Sequence, residues 1–528
     1  MKWTMVAALA VVILGILAFN LLFTTSACLL AGPGTKYPTI ASALLAAKPG
    51  CTIILLSGEY TENVVITKPV HLIASPQSVF VSLDKTSIPT NDEPSLAIFD
   101  SRQKPVIIHP ADLARPTIEI RANNVELRGL IIQGGQNGIA AAHASHLRLL
   151  GNAISGSTQA GIALQNVSRS LIRHNLISKS AQVGISLTES QEIKIIANHI
   201  EQSRQGIMLE RASDNLIAQN RLSDLAIEGI VLSESANNTL SKNEINKSQR
   251  GLLLTNSPGN SLQGNRLEQN ATGLRVWGEK PADFVEKISA DNTVNGRPIL
   301  YLVGAHDLRL DIGDRPALIA LVNSEKITVE GAAFRAGDEG ILLVNTRSSL
   351  IRGNLLSGTL LGITLIGSRE NELRDNQLQG SLENGISLLN SHGNRLVHNS
   401  VSQSKKHGIL LYRSSSNRLS QNSLSANKSS GVFLEGGQKN RLLDNQLSDN
   451  WVGVFLERAD ANTISGNLIK DNRFGLYVSS SGANEIRDNR MVGNQSDSNV
   501  AQLSPAPPPP TQPEEPGSSS AGSAAGGG

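Results

Sequence analysis

The chain has 528 residues, and its 47 Lys and Arg residues nearly balance its 45 Asp and Glu residues, which gives a formal net charge of +2. This balance argues against a nucleic-acid binder that relies on bulk basicity. Aromatic residues make up only 3% of the chain, which is few for several globular cores, because rings supply much of the buried area of such cores. The 47 Gly residues and the frequent Asn favour a repetitive architecture of short turns.

Residues 1–27 have the pattern of a secretory signal peptide or a membrane anchor. An apolar stretch covers 5–23, and the small residues Thr25 and Ala27 stand at the −3 and −1 positions of a cleavage site after Ala27. The stretch is also just long enough to cross a bilayer uncleaved, and Cys28 stands where a bacterial lipoprotein carries its lipid. All three alternatives predict an extracytoplasmic protein that is periplasmic, on the cell surface or secreted.

The chain has two cysteines, Cys28 and Cys51. In an oxidising compartment, an even number of cysteines favours a disulfide. Residues 28–30 and 51–56 both have the pattern of short apolar strands, and strands that lie side by side would bring the two sulfur atoms together. We therefore predict a disulfide that ties down the N-terminal end of the fold.

A glycine followed by an apolar–any–apolar triplet recurs every 22 or 23 residues. The first series comprises Gly138, Gly161, Gly184, Gly206, Gly229, Gly251 and Gly273. The second series comprises Gly340, Gly362, Gly385, Gly408, Gly431, Gly453 and Gly475. The gap of 67 residues between the two series equals three diverged periods. A fixed period of this length is the signature of a solenoid.

Asparagines form two further columns with the same period. One column comprises Asn152, Asn175, Asn198, Asn220, Asn243, Asn265, Asn354, Asn376, Asn399, Asn422, Asn445, Asn467 and Asn489. The other column, five residues ahead of it, comprises Asn215, Asn238, Asn260, Asn371, Asn394, Asn417, Asn440, Asn462 and Asn484. Between these columns apolar residues alternate with polar ones over three or four residues, which predicts strands rather than helices.

Three short strands in each period of 22–23 residues predict an all-β fold, a single-stranded parallel β-helix. We expect the Ile and Leu residues at the first and third positions after each glycine to point inward. The column asparagines are expected to stack their amides into hydrogen-bonded ladders, as in cross-β stacks. The repeat glycine is expected to supply the special backbone angles of a corner.

The open ends of such a stack need covers, because unpaired strand edges are sites of aggregation. The amphipathic segment 39–48 predicts a capping helix at the N-terminal end. The Pro-rich and then Gly/Ser-rich segment after 504 predicts a disordered tail. The predicted divisions are a signal peptide or anchor at 1–27, a cap with the first coils at 28–75, irregular coils with a long loop at 76–137, a first array at 138–276, diverged central coils at 277–339, a second array at 340–502, and the tail at 503–528.

Two segments resemble a known family. Residues 34–75, with the motifs YPTI, PGC and GEYTEN, resemble the N-terminal coil of right-handed β-helix proteins of the pectin-lyase-like kind. Cys51 replaces the Asp that is usual in one of these turns, a departure that favours the disulfide. Residues 292–334 resemble the central segment of NosD-type periplasmic proteins, a group also described as the carbohydrate-binding and sugar-hydrolase repeat. The resemblance implies a right-handed β-helix but leaves the activity open, because such repeats occur in lyases, epimerases, copper-site assembly factors and binding proteins.

Six aromatic residues cluster between positions 412 and 477. In the predicted fold, the second and fourth positions after each glycine point outward, so three of these rings form an outward ladder beside charged residues. The predicted ligand-binding residues are Tyr412, Arg413, Phe433, Glu435, Phe455, Glu457, Arg458 and Tyr477. Rings suit the apolar faces of a sugar chain, and charged groups suit its hydroxyl edges. The alternative is that a loop, the tail or another subunit covers these rings.

Glu435 and Glu457 are also the candidate catalytic residues. Stacked coils would hold their carboxylates about 5 Å apart, the separation that retaining glycosidases use. However, Arg413 and Arg458 would keep both carboxylates ionised rather than leave one as a general acid. We therefore expect no catalysis at this pair.

The segment HDLRLDIGD supplies the candidate metal ligands. They are His306, Asp307, Asp311 and Asp314, a set that suits a hard cation such as calcium. Copper would need His, Cys and Met ligands that converge, and the repeat places no three of the ten histidines on one face. We expect no cofactor, with calcium or copper as the alternatives.

These patterns predict an exported, non-catalytic scaffold that binds carbohydrate or serves in assembly. The expected partner is a polysaccharide or an extracytoplasmic protein rather than a nucleic acid. The N-terminal segment is a candidate membrane anchor, and the C-terminal tail is a candidate contact for a partner. Two alternatives stay open: a polysaccharide lyase, epimerase or hydrolase, and a NosD-like accessory factor for periplasmic copper-site assembly.

Overall fold

The computed structural model describes residues 28–75, 105–310, 312 and 315–499. The chain winds into about 20 right-handed turns of a parallel β-solenoid. The turns form two successive stacks, the first stack over 28–294 and the second stack over 297–499, and each stack has its own three sheets. The predicted all-β fold class is therefore confirmed.

Sheets 1, 2 and 3 make up the first stack, and their strands pair in parallel. The strands of sheet 1 are Leu29–Ala31, Cys51–Leu55, Val70–Ala74, Glu126–Arg128, Arg148–Leu150, Leu171–Arg173, Lys194–Ile196, Leu216–Ala218, Thr239–Ser241, Ser261–Gln263 and Lys287–Ile288. Those of sheet 2 are Gly58–Thr61, Val106–His109, Ile131–Gln133, Ala153–Ser155, Leu176–Ser178, His199–Glu201, Arg221–Ser223, Glu244–Asn246, Arg266–Glu268 and Thr293–Val294. Those of sheet 3 are Val64–Ile66, Ile118–Ile120, Asn137–Ala142, Ala160–Gln165, Val183–Thr188, Gln205–Glu210, Glu228–Ser233, Arg250–Thr255 and Thr272–Trp277.

Sheets 4, 5 and 6 make up the second stack and are also parallel. The strands of sheet 4 are Arg297–Val303, Leu318–Val322, Gly340–Val344, Ile363–Ile366, Ile386–Leu389, Ile409–Tyr412, Ser430–Glu435, Val452–Glu457, Phe474–Ser479 and Ser496–Ser498. Those of sheet 5 are Arg309–Leu310, Thr328–Glu330, Leu350–Arg352, Glu372–Arg374, Arg395–Val397, Arg418–Ser420, Arg441–Leu443, Thr463–Ser465 and Glu485–Arg487. Those of sheet 6 are Ala333–Phe334, Leu355–Ser357, Gln377–Gln379, Ser400–Ser402, Ser423–Ser425, Gln446–Ser448, Leu468–Lys470 and Arg490–Val492.

The predicted asparagine ladders are present inside both stacks. Asn175 is 1% exposed. Its Nδ2 donates to Oδ1 of Asn198 at 2.9 Å and to the carbonyl oxygen of Leu149 at 2.9 Å, while its Oδ1 accepts from Nδ2 of Asn152 at 3.0 Å. A buried amide needs such partners, and here each turn supplies them to the next. A further ladder that the sequence did not predict comprises Asn427, Asn450, Asn472 and Asn494.

The repeat glycines have a different role from the predicted one. Most of them, including Gly161, do not adopt a positive φ angle, whereas Gly340 does, at 110°. A Cβ atom on Gly161 would lie 2.5 Å from Cγ2 of Ile177 and 2.8 Å from the carbonyl oxygen of Gly184. The glycine is therefore required by close packing. Left-handed angles occur instead at turn residues such as His174, with φ of 57°.

A short helix, α1 (Ile40–Ala46), covers the first turns and confirms the predicted capping helix. Ile40 is fully buried in the core of the first stack. The Thr39 side chain caps the helix, and the Glu62 carboxylate accepts hydrogen bonds from the Ile40 and Ala41 amides at 2.7 and 2.9 Å. These bonds satisfy backbone donors that a helix start leaves unpaired.

Cys28 and Cys51 are both free thiols whose side chains share a hydrogen bond, so the predicted disulfide stays a prediction. The strand register pairs Leu29 with Ile53, so Thr52 rather than Cys51 lies opposite Cys28. Consistent with this register, the Cys28 amide donates to the Thr52 carbonyl oxygen at 3.0 Å. Burial, a hydrogen bond with Cys28 and the charge of Cys28 raise the pKa of the Cys51 thiol to about 11.

The second stack begins within the predicted diverged coils at 277–339. Thr293–Val294, the last strand of sheet 2, pairs antiparallel with Arg297–Val303, the first strand of sheet 4. This hairpin starts the second stack. Along Leu318–Val322, residues 319 and 321 face the core of the second stack, whereas residues 318, 320 and 322 pack on the core of the first stack. Sheet 4 therefore covers the end of the first stack.

A buried carboxyl terminates one asparagine ladder at this junction. Glu286 is 3% exposed and accepts a hydrogen bond from the Asn260 amide at 2.7 Å. Burial raises the pKa of Glu286 to about 8, although the hydrogen bonds from Asn260 oppose this rise. Nearby, the Tyr301 hydroxyl donates to the carbonyl oxygen of the fully buried Phe284, at the end of the 3-10 turn Pro281–Phe284, at 2.7 Å.

Several predicted segments lie wholly or partly outside the described residues. The predicted signal peptide or anchor at 1–27 and the tail at 503–528 do so entirely, as do positions 76–104 of the predicted loop. The described part of the predicted irregular coils at 76–137 contains strands such as Val106–His109 and Ile118–Ile120. In the last turn Ile486 and Met491 are only half-buried, and the described residues place no helix over them. Within the described ranges, none of the helices combines the length and the apolar character needed to cross a bilayer.

Gly161→Ala is expected to destabilise the first stack by about 1–3 kcal/mol, because the added methyl group overpacks the core. The matched control is Gly482→Ala, where the nearest atom to the new Cβ is Oδ1 of Asp460 at 3.8 Å. The control should stay within about 0.5 kcal/mol of the wild type. Urea unfolding followed by circular dichroism measures both variants, and equal losses would contradict the packing role of the glycine.

Glu286→Gln should gain stability relative to the wild type as the pH rises. The folded protein holds the Glu286 proton up to about pH 8, whereas the unfolded chain loses it near its ordinary pKa. The wild type therefore loses stability between these two values, by about 1.4 kcal/mol per unit of pKa difference. Gln carries no proton to lose. Urea midpoints between pH 5 and 9 test this, with exposed Glu279→Gln as the control, and a pH-independent difference would contradict it.

Candidate functional site

The outer side of sheet 4 carries the predicted ladder of rings in its last turns. The register pairs Phe433 with Phe455 and Phe455 with Tyr477. The ring centroids are 4.8 Å apart in the first pair and 5.2 Å apart in the second. These three residues occupy the second position after successive repeat glycines, so their superposition follows directly from the period. The predicted placement is confirmed, whereas a role in ligand binding stays a prediction.

The geometry of the ladder decides which ring faces are open. The planes of Phe433 and Phe455 are only 27° apart, so each ring covers a face of the other. The His407 ring lies 4.8 Å from Phe433 on the preceding turn. Tyr477 meets Phe455 edge-on, at 87°, and is 36% exposed. The inner rings therefore stabilise the stack, and Tyr477 is the ring of the ladder most available to a ligand.

His407 extends the ladder and was not among the predicted binding residues. Burial, with a smaller contribution from the charge of Lys406, lowers the pKa of His407 to about 4. The imidazole is therefore neutral at pH 7, and its Nδ1 accepts a hydrogen bond from the Ser430 amide at 3.3 Å. His407 directly precedes the repeat glycine Gly408. The sequence analysis considered only the second and fourth positions after each glycine as outward-facing, so it did not include this residue.

The carboxylates beside the ladder share one guanidinium. Register pairs Glu435 with Glu457 on adjacent strands. Nη2 of Arg458 lies 2.6 Å from Oε1 of Glu435 and 3.5 Å from Oε1 of Glu457. The guanidinium of Arg413 lies 5.1 Å from the centroid of the Tyr412 ring. An arginine between two carboxylates suits a hydrogen-bonding rim better than acid–base chemistry, so the catalytic assignment stays a prediction without geometric support.

A second group of rings lies beside the end of the ladder. Trp451 is 50% exposed. The guanidinium of Arg473 lies 4.0 Å from the centroid of the Trp451 ring and 5.7 Å from that of Phe474, and Phe474 lies 6.0 Å from Tyr477. We call Trp451, Arg473, Phe474 and Tyr477 the C-terminal ring patch. The repeat pattern missed three of its members, because they lie one or two residues before the glycine rather than after it.

The described residues do not bring together the ligands of a metal site. Among the described ranges no three His, Cys, Asp or Glu side chains converge on a point where they could hold an ion. Asp307 instead lies 3.7 Å from Nζ of Lys326, and His306 is aligned with Glu325 on the next turn. Asp311 and Asp314 lie outside the described residues, so their predicted role as calcium ligands stays a prediction. The family resemblance also raised the possibility of copper, but the described part of the chain contains no suitable set of copper ligands.

Arg458→Gln should lower the free energy of unfolding by about 0.2–1 kcal/mol, the usual value of an exposed ion pair. The loss arises because Glu435 and Glu457 then repel each other across adjacent strands. The double variant Glu435→Gln/Arg458→Gln removes this repulsion and should recover most of the loss. Urea unfolding at low and high salt measures both variants. A loss above 2 kcal/mol, or no recovery in the double variant, would contradict the shared-guanidinium arrangement.

Two family models match successive parts of the chain. Residues 286–452 and 427–502 match a family model described as "Periplasmic copper-binding protein (NosD)". Residues 117–285 match a model described as "Right handed beta helix region". The boundary between the two matches, at positions 285 and 286, lies in the last turn of the first stack, shortly before the hairpin that starts the second stack. The comparison with curated proteins found no match.

Solved structures with distant similarity include enzymes that act on polysaccharides. The periplasmic alginate epimerase AlgG is 12% identical, with 71% of this chain and 77% of that chain covered and a TM-score of 0.27. The catalytic domain of GH87 alpha-1,3-glucanase in complex with nigerose is 10% identical, with 89% and 68% covered and a TM-score of 0.33. The AlgE4 A-module, a mannuronan C-5 epimerase of Azotobacter vinelandii, is 13% identical, with 88% and 92% covered and a TM-score of 0.23. Scores below 0.5 carry no argument about the activity of this chain.

Proposed function

We propose that this chain, which belongs to the right-handed parallel β-helix proteins of the pectin-lyase-like kind, is an exported, non-catalytic carbohydrate-binding protein. An extended polysaccharide would lie along the last turns of the second stack. The C-terminal ring patch would contact the apolar faces of the sugars. The side chains of Glu435, Glu457 and Arg458 would hydrogen-bond the hydroxyl edges.

The observation that carries this proposal is the exposure of Trp451 and Tyr477 beside paired charged groups. Their exposed fractions are 50% and 36%, in a chain where aromatic residues make up only 3%. Exposed apolar surface next to polar side chains is typical of a binding surface. Arginine and carboxylate groups also supply the paired donors and acceptors that suit neighbouring hydroxyls.

Two observations favour binding over catalysis. Arg458 contacts both Glu435 and Glu457, which leaves neither carboxylate in the apolar setting that produces a general acid. The side chains of Glu435 and Glu457 are also 25% and 34% exposed to water, whereas hydrolysis and elimination benefit from a site that excludes water. A lyase, epimerase or hydrolase activity is therefore the alternative outcome of the experiment below.

The proposed location is outside the cytoplasm. Residues 1–27 have the pattern of an export signal or anchor, and the family model that matches 286–502 is described as periplasmic. We further propose that a membrane anchor or a cleaved signal precedes the first stack. The tail at 503–528 would then contact an extracytoplasmic protein partner.

A second candidate is an accessory factor in periplasmic copper-site assembly, which the match to the NosD model favours. Since no three ligands converge among the described residues, such a factor would act by docking to a partner rather than by holding the metal itself. Elemental analysis of the purified full chain tests this, because the proposal predicts less than one copper per chain. A stoichiometric copper content would contradict a role that acts by docking alone.

Binding to a glycan array and to insoluble polysaccharides tests the proposed function. Trp451→Ala and Tyr477→Ala should each weaken binding about tenfold, because an aromatic contact is worth about 1.4 kcal/mol. Trp277→Ala, an exposed ring of the first stack, is the matched control and should bind like the wild type. Reducing-sugar and unsaturated-product assays accompany the measurement. Turnover that Glu457→Gln abolishes, or binding that neither ring variant weakens, would overturn the proposal.

A further inference from the structure

Positive charge is concentrated in a few successive turns of the second stack. Residues 391–443 contain eight Lys and Arg residues but a single acidic residue, Glu435, which gives this segment a net charge of +7. The whole chain has a net charge of only +2, so the rest of the chain is negative overall. A concentrated charge of one sign creates a field that favours a partner of the opposite sign.

Three arginines of this segment lie above one another on sheet 5. Arg395, Arg418 and Arg441 occupy the first position of successive strands, and the register pairs Arg395 with Arg418 and Arg418 with Arg441. Adjacent strands of a sheet lie about 4.8 Å apart. All three arginines are exposed, whereas the leucine that follows each of them is fully buried. The three side chains therefore project from the outer side of the sheet, and we call them the arginine ladder.

The arginine ladder lacks the acidic partners that arginines have on other turns. Arg148 lies 3.0 Å from its register partner Glu126, and Arg221 lies 3.1 Å from its register partner Glu244. Within the described ranges, no side chain of the ladder forms an ion pair or a hydrogen bond. Like charges directly opposite each other destabilise a sheet. The ladder therefore holds repelling charges that a bound anion would compensate.

The acidic residues at the two ends of this column contact other arginines. Glu372, on the turn before the ladder, lies 3.7 Å from Arg374. Glu485, two turns after the ladder, lies 2.6 Å from Arg487. Neither carboxylate lies within ion-pair distance of a ladder arginine. The charges of the ladder are therefore available to a partner from outside the described chain.

We propose that the arginine ladder is a second binding surface, separate from the C-terminal ring patch, and that it binds an acidic polysaccharide. The acid groups of the sugar chain accept paired hydrogen bonds from the planar guanidinium groups. An acid group between two neighbouring arginines reduces their mutual repulsion. The ladder runs along the axis of the stack over three turns, which suits an extended chain better than a small anion.

The groups beside the ladder favour a polysaccharide over a nucleic acid. The described strands of sheet 5 contain no aromatic residue, whereas proteins that bind single-stranded nucleic acid stack its bases on rings. Val397 and Leu443, two residues after ladder arginines, are half-buried and offer apolar contacts to sugar faces. The export pattern of residues 1–27 also favours a partner outside the cytoplasm.

Three dextrans with the same backbone test this proposal on the full chain by calorimetric titration. We expect dextran sulfate or carboxymethyl dextran to bind more tightly than neutral dextran, and the stronger of the two identifies the preferred acid group. Added salt should weaken this binding, because exposed charges are screened. Arg418→Gln should weaken it about threefold, and Arg395→Gln/Arg418→Gln/Arg441→Gln at least about tenfold.

The charge-matched control is Arg148→Gln/Arg169→Gln/Arg221→Gln. It removes the same charge from three exposed arginines that each lie beside a glutamate. This control should bind the acidic dextran within about twofold of the wild type, because charges farther away than a Debye length are screened. Trp451→Ala should also leave this binding unchanged. Failure of the arginine ladder is therefore distinguishable from failure of the C-terminal ring patch.

Urea unfolding checks the ladder variants, which should be at least as stable as the wild type because they remove like-charge repulsion. Four outcomes would overturn the proposal. They are no preference for either acidic dextran over neutral dextran, wild-type affinity in the triple ladder variant, an equal loss in the charge-matched control, and tighter binding of duplex DNA than of the acidic dextrans at the same salt concentration.

Discussion

Each turn of the structure depends on hydrogen bonds and packing contacts that its neighbouring turns supply. The buried amide of Asn175 is satisfied only because Asn152 and Asn198 lie directly before and after it. Apolar side chains superimpose in the same way, so no turn has a complete core of its own. Stability is then a sum over neighbouring turns, and the ends of a stack need separate covers. Helix α1 covers one end of the first stack, and the outer side of sheet 4 covers the other.

The dependence of each turn on its neighbours also determines where side chains are accessible to a ligand. Within a stack, a ring on one turn covers the face of the ring on the next, as Phe433 and Phe455 do. Ring faces become accessible where the repetition stops. Trp277 lies on the last strand of sheet 3, and Tyr477 lies near the end of sheet 4, followed only by a short strand. The candidate site therefore lies near the end of the second stack, and the repeats before it mainly provide a rigid support.

Spacing alone could predict the fold class and the superposition of Phe433, Phe455 and Tyr477, because a solenoid places residues one period apart next to each other. Three features depend on contacts that spacing does not contain. The role of Gly161 depends on the methyl group of Ile177 in another sheet. The second stack starts at an antiparallel hairpin that breaks the period, and the burial of Glu339 depends on packing between the two stacks. Which ring faces are open to a ligand depends on side-chain torsion angles, and these cannot be read from the sequence pattern.

Disulfide trapping tests most directly whether residues one period apart are superimposed. Thr239 and Ser261 are register partners on adjacent strands of sheet 1. In a background without the two native cysteines, Thr239→Cys/Ser261→Cys should crosslink on mild oxidation. Thr239→Cys/Gln263→Cys, shifted by two residues along the same strand, should not, since its Cα atoms would be more than about 7 Å apart. Crosslinking of the shifted pair, or none in the register pair, would contradict the stacked arrangement on which the proposed binding surface depends.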